Sequence, residues 1–167
     1  MKKIAFIASL LLLISCTTEQ PKIEVNNANW EEKRISLTTD SSLFVGSSYL
    51  SVYSEVYSKT EKRTHNLTVT VSMRNTSSTD SVFIKNANYY NTKGFLIREY
   101  IKAPIFILPL ETVEIVINEN DVQGGTGANF TFDWATRNEN IEPLFEAVMI
   151  STSGQQGISF ITQGTRI

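Results

Sequence analysis

Leu67-Thr68-Val69-Thr70-Val71-Ser72-Met73-Arg74 alternates four apolar residues with four polar ones. Successive side chains of an extended chain point to opposite faces. This octet therefore predicts a strand with one face buried and one in water, the habit of an antiparallel sheet. Downstream, Asn75-Thr76-Ser77-Ser78-Thr79-Asp80 supplies short polar side chains that bond their own backbone in turns, and Ser81 to Tyr90 returns as a strand. Asn91-Thr92-Lys93-Gly94 predicts a hairpin turn with Gly94 at positive φ, and Gly94 to Ile101 runs back.

The same period continues to the end of the chain. Pro104 and Pro109 bracket Ile105-Phe106-Ile107-Leu108, which predicts a short edge segment. Val113, Ile115 and Ile117 share one parity, as do Phe130, Phe132 and Trp134, so both sets are expected to face the core. Leu144 to Ile150 is apolar at both parities and reads as a central strand, and Ile158, Phe160 and Ile161 close the sheet. Upstream, the alternation begins at Tyr49. Seven to nine short strands at this spacing predict an all-β fold, an immunoglobulin-like antiparallel β-sandwich, with a barrel as the alternative.

The N-terminus follows a different logic. Lys2 and Lys3 precede the apolar run Ile4 to Leu13, and Leu13-Ile14-Ser15-Cys16 closes it. About ten apolar residues are too few to span a bilayer, which needs roughly twenty, but they suit a secretory signal. The single cysteine directly follows a Leu-x-small tripeptide, the pattern of a lipoprotein signal. Diacylglycerol attachment needs a thiol, and cleavage would leave Cys16 as a lipidated first residue, with membrane lipid as its partner. Each buried CH₂ contributes about 0.8 kcal/mol, so several acyl chains make a durable anchor. Thr17 is not acidic, which points to the outer membrane of the bacterial envelope. Once Cys16 is consumed, no cysteine remains for a disulfide.

The expected organisation is a signal peptide over 1–15, a lipidated cysteine with a polar tether over 16–47, and the β-domain over 48–167. Within the tether, Trp30 to Ile35 fits either a helical turn or an edge strand. The formal charge of −2 includes Lys2 and Lys3, so the mature chain stands at −4. With no dense Lys/Arg cluster, this argues against nucleic acid as a partner.

Several runs in the C-terminal half are distinctive: Gly124-Gly125-Thr126-Gly127-Ala128-Asn129-Phe130, Trp134, Glu146-Ala147-Val148-Met149-Ile150, Gly154-Gln155-Gln156-Gly157-Ile158-Ser159-Phe160 and Gly164-Thr165-Arg166-Ile167. With Tyr53-Ser54, Arg74-Asn75-Thr76 and Tyr89-Tyr90, they resemble an uncharacterised bacterial envelope family, domain of unknown function three-one-two-four, from about Tyr49 to Ile167. The resemblance implies one exported β-domain and no assigned activity.

Candidate sites follow from residue chemistry. The loop Gly124, Gly125, Gly127, Asn129 has the glycine content of an anion cradle, yet it opens a strand and lacks the Lys of a phosphate loop. A turn or bulge that needs positive φ is the favoured reading. Gln155 and Gln156 sit at a hairpin tip, where their amides suit a glycan or peptide, or cap the local backbone. If both loops share one end of the sandwich, they make a recognition surface. Tyr49, Tyr53 and Tyr57 share a parity that suits sugar stacking, but core or rim packing explains it better.

His65 is the only histidine and is expected in a charged turn after Glu61-Lys62-Arg63-Thr64, so a Cys/His zinc site cannot be assembled. Asn118-Glu119-Asn120-Asp121 lacks the alternation of a calcium loop. No cofactor is expected. Glu111, Glu114, Asp133, Glu142 and Glu146 offer carboxylate pairs of the kind glycoside hydrolysis uses, as any acidic protein does. The expected function is a non-catalytic binding or scaffolding domain, with an envelope protein or glycan as its partner. A small polar ligand at the glycine-rich end is one alternative, and a hydrolase using acidic residues is another.

Overall fold

A computed structural model describes residues 30–37, 42–153 and 155–167. The expected signal peptide, Cys16 and tether residues 17–29 and 38–41 lie outside the described residues, as does Gly154. Twelve strands form within the described residues: β1 (Phe44–Val52), β2 (Glu55–Ser58), β3 (Thr60–Asn66), β4 (Thr68–Arg74), β5 (Val82–Tyr90), β6 (Leu96–Ile101), β7 (Ile105–Ile107), β8 (Thr112–Ile117), β9 (Ala128–Thr136), β10 (Leu144–Ser153), β11 (Gln156–Gln163) and β12 (Thr165–Arg166). One sheet runs β12-β1-β9-β5-β6, with β7 also paired to β5, and the other runs β11-β10-β4-β8. All the pairings are antiparallel. The result is the antiparallel β-sandwich that the strand spacing predicts. Eight longer strands carry the two sheets, and the short β7 and β12 and the hairpin β2–β3 are additional.

Hydrophobic periodicity decides which face of each strand turns inward. Val69, Val71 and Met73 of β4 are fully buried, as are Phe130 and Phe132 of β9, while Trp134 of β9 and Ile115 and Ile117 of β8 are nearly so. Aromatic rings tie the sheets together. Tyr89 stacks on Phe130 at 4.8 Å, Phe130 on Phe132 at 5.5 Å, and Phe132 on Phe145 of β10 in the opposite sheet at 4.1 Å. Rings of this size dominate core energetics, and such pairs add about 1 kcal/mol each beyond the area they bury.

Three devices close the sandwich. At Gly164 the chain leaves β11 and crosses to the other sheet as β12. A Cβ there would lie 2.9 Å from the Phe145 Cβ, and the Gly164 N–H donates to the Phe145 carbonyl at 2.8 Å. Just before it, the Thr162 hydroxyl donates to the Ser51 carbonyl at 2.6 Å and stitches the sheets along one side. The buried Asn75 organises the β4–β5 connection. Its amide donates to the carbonyls of Asp80, Ile107 and Leu108, and its oxygen accepts from the Ser77 N–H.

The structure departs from the sequence reading at several points. Strand β1 starts at Phe44, inside the expected tether, because Phe44 to Ser47 pair with β9 from Thr136 to Asp133. Trp30–Lys33 forms a 3-10 turn, and Arg34 then bridges Ile105, so this part of the tether region lies against β7. The charged turn expected around His65 is instead strand β3, paired to β2 with His65 opposite Val56. Neither strand of that hairpin buries a full face, so no alternation marks it. Tyr49, Tyr53 and Tyr57 do not share one strand. Tyr49 lies on β1, Tyr57 is exposed on β2, and Tyr53 falls between them with its ring edge-on to Phe160.

Gly46 shows how β1 is locked in place. A Cβ at Gly46 would lie 2.3 Å from the Trp134 ring, whose Nε1 donates to the buried Ser48 hydroxyl at 3.0 Å. Gly46→Ala is expected to displace that ring and cost about 3 kcal/mol, combining overpacking with a lost buried hydrogen bond. Chemical denaturation measures this directly, and an unchanged midpoint would show that the ring has room to move.

Candidate functional site

The two loops singled out in the sequence lie at the same end of the sandwich. Thr68 opens β4 opposite Ile150 of β10, so the β10–β11 turn projects at the end where β4 begins. The Leu67 N–H just before β4 donates to the Ser54 carbonyl at 2.8 Å, and the Ser54 N–H donates to the Gly125 carbonyl at 3.1 Å. The β2–β3 hairpin rises from the same end and packs against both β10 and the glycine-rich loop, so it stands between the two features.

The glycine-rich loop is held from within. Gly124 has helical dihedrals, and glycine is needed there for space. A Cβ would fall 2.0 Å from the Tyr89 hydroxyl and 2.4 Å from the Ser54 hydroxyl, which bond each other at 2.7 Å in the core. Gly125 is at φ +75°, the left-handed region that favours glycine. The Gly124 carbonyl accepts from both the N–H and the hydroxyl of Thr92, and the Gly127 N–H donates to the Thr92 hydroxyl oxygen. These polar groups are turned onto the β5–β6 turn, whose Gly94 adopts the expected positive φ of 78°. Asn129 sits on β9 opposite Ser51 and Tyr90, on the outer face of its sheet.

Ionic contacts secure the loop's entrance. Asp121, 1% exposed, accepts from Arg98 at 3.0 Å, and Arg98 also donates to the Tyr100 hydroxyl at 2.6 Å. Burial pushes the Tyr89 phenol up to about 12, which the Ser54 hydrogen bond only partly offsets, so Tyr89 is a neutral hydroxyl at any physiological pH. Gln155 and Gln156 differ from this packed loop in being exposed at their turn.

The five candidate carboxylates each have a partner. Glu111 pairs with Lys33 and accepts from the Leu108 N–H at 2.8 Å, Glu142 pairs with Arg166, and Glu146 pairs with Arg74 at 2.8 Å. Glu114 accepts from the Ser72 hydroxyl at 3.3 Å. Asp133 accepts from Ser47 at 2.5 Å and Asn86 at 2.6 Å, and the Ser47 bond first of all holds its carboxyl below the usual range. Partial burial would raise the Glu111 carboxyl, but the bonds from Lys33 and the Leu108 N–H outweigh it and lower it. Among the described residues, no three His, Cys, Asp or Glu side chains gather as a metal site would require.

Sequence reasoning missed a concavity at the opposite end. A shallow pocket of about 280 Å³ is lined by Phe44, Val45, Trp134, Thr136, Glu139 and Arg166. The Arg166 guanidinium lies 5.3 Å from the Trp134 ring centre. The terminal Gly-Thr-Arg-Ile run was the available signal, but nothing in the sequence says that it folds back onto Trp134.

Residues 45–167 match the family model described as protein of unknown function, DUF3124. The chain belongs to the DUF3124 family. Among curated proteins no match is found. A crystal structure of Thermotoga maritima protein 1070 aligns with a TM-score of 0.45 and 7% identity, covering 72% of this chain and 92% of that one. The runs that resemble DUF3124 coincide with the fold's internal joints. Ser54, Tyr89 and Gly124 meet in the core, Asn75 organises the β4–β5 connection, Trp134 meets Arg166, and Gly164 makes the sheet crossing.

The Ser54–Tyr89–Gly124 contact yields a coupling prediction. Gly124→Ala is expected to cost about 2 kcal/mol in the native background, as overpacking of this kind does. In a Tyr89→Phe/Ser54→Ala background, where the two nearest crowding oxygens are gone and only the Ala128 Cβ at 2.8 Å still presses on the position, it should cost clearly less. Equal costs in the two backgrounds, read by urea denaturation, would contradict a steric origin.

Proposed function

We propose that this chain is a bacterial envelope lipoprotein, anchored to membrane lipid through acylated Cys16, whose β-domain acts by binding or scaffolding. The reading rests above all on the order of parts. A charged start, ten apolar residues and Leu-Ile-Ser-Cys at 13–16 come first, and the family domain begins some thirty residues later. Thr17 after the cysteine favours the outer membrane.

The chemistry of the carboxylates supports a non-catalytic role. A glycosidase needs one carboxyl raised toward neutrality as its acid. Asp133 and Glu111 are shifted the other way, by bonds that hold them ionised. Paired in this way, these side chains serve stability more readily than proton transfer, which weakens the hydrolase alternative. The loop-end alternative rests on Gln155 and Gln156, which are exposed and have free reach into solvent, while the glycine-rich loop serves as their support.

Labelling with radioactive palmitate in a lipoprotein-processing bacterium tests the anchor. The wild-type chain is expected to take up label and to run as the processed form. Cys16→Ala should lose the label and accumulate as the 167-residue precursor. An unlabelled wild-type chain, or a labelled Cys16→Ala variant, would overturn the proposal.

A further inference from the structure

Strand β11 ends its sheet, and its free edge differs from the others. Natural edges are blunted by charge, proline, bulges or brevity. Strand β8 carries Glu114, and β6 carries Arg98 and Glu99 with register shifts in its pairing. Strand β7 has three residues beside Pro104 and is bridged by Arg34, and β12 has two residues. The eight residues of β11, Gln-Gly-Ile-Ser-Phe-Ile-Thr-Gln, contain no charge and no proline, and they pair with β10 without a register break.

The pairing with β10 fixes which backbone groups point outward. In an antiparallel ladder, hydrogen-bonded and non-bonded pairs alternate. The Gly164 N–H bonds the Phe145 carbonyl, so Thr162, Phe160 and Ile158 turn their backbone groups toward β10. Gln163, Ile161, Ser159 and Gly157 therefore aim theirs at the open edge, and all four residues are exposed, Ile161 at 70%. Water can satisfy these groups one by one, but such a row is also a ready template on which another extended strand can pair along its whole length.

We propose that the occupant is β11 of a second copy of this chain, paired antiparallel about a two-fold axis at Phe160. In that register Gly157 meets Gln163 of the second copy and Ser159 meets its Ile161, so every outward N–H and C=O finds a partner. The side chains fit the same register. Ser159 and Ile161 lie on the outer sheet face, so the larger side chain of each copy sits opposite the smaller one of the other. Ile150 (49% exposed) and Val148 (37%) lie beside them on β10, opposite Ser159 and Ile161 respectively, and extend an apolar strip across the junction. A two-fold contact is self-complementary by construction, and an uncharged edge meets its own copy without repulsion. The two four-stranded sheets become one sheet of eight.

Cysteine pairing between full-length copies tests the register. Two differently tagged chains, one carrying Ser159→Cys and the other Ile161→Cys, are co-expressed and oxidised with copper–phenanthroline. The wild-type chain, whose only cysteine is Cys16, is the blank. Directly opposed positions bring Cα atoms to about 5.5 Å, within disulfide reach, whereas two copies of Ser159→Cys stand beyond about 7 Å. The mixed pair should give at least fivefold more linked dimer than the like pair. Adding Gly157→Pro, which removes an outward N–H but none that bonds β10, should reduce the yield at least tenfold. A mixed pair no better than the blank, equal yields from all pairs, or linkage only to a different protein would overturn the proposal.

Discussion

Tyr89 is fully buried yet carries a hydroxyl, and the placement of that one oxygen constrains the end of the molecule around it. A buried hydroxyl without a partner costs about 1–3 kcal/mol, so Ser54 must be brought to it, and the chain between β1 and β2 bends accordingly. With the two oxygens 2.7 Å apart, no side chain fits above them, and the loop that crosses there must do so at Gly124. The ring below the hydroxyl stacks on Phe130 and so joins the aromatic series that reaches Phe145 in the opposite sheet. Core packing and loop conformation are thus one arrangement.

This arrangement explains why a loop that resembles an anion cradle in composition behaves as a structural clasp. Three glycines in four residues suit close approach of backbone to a ligand, but they equally suit close approach to the protein's own side chains. Here Thr92, Ser54 and Tyr89 take the place a ligand would have. Exposed backbone and polar side chains lie elsewhere, on the Gln155–Gln156 turn and along the uncharged strand that follows it.

The fold was legible where one face of a strand is buried and the other wet. The octet at Leu67, the Val113–Ile117 strand and the Phe130–Trp134 strand all face the core at the parity that their spacing predicts. Legibility failed where no face is buried, as in the β2–β3 hairpin, whose pairing rests on backbone bonds that leave no trace in side-chain pattern. It failed again for Phe44 to Ser47, because Gly46 is a core-facing position filled by the Trp134 ring of another strand. The candidate site was half legible. The sequence marks both loops as unusual, but the contacts of Gly124 with Tyr89 and Ser54 are thirty-five and seventy residues away along the chain, and one sequence carries no sign of them.

Native-state hydrogen exchange at the amides of Ser54, Thr92 and Gly127 tests most directly whether the glycine-rich loop belongs to the fold. These three N–H groups donate to Gly125, Gly124 and the Thr92 hydroxyl respectively, so each reports whether the loop is closed. If the loop is part of the fold, they exchange as slowly as amides in the middle of β9, opening only when the domain unfolds. Fast exchange at all three, with β9 still protected, would contradict it and return the loop to the class of open binding segments.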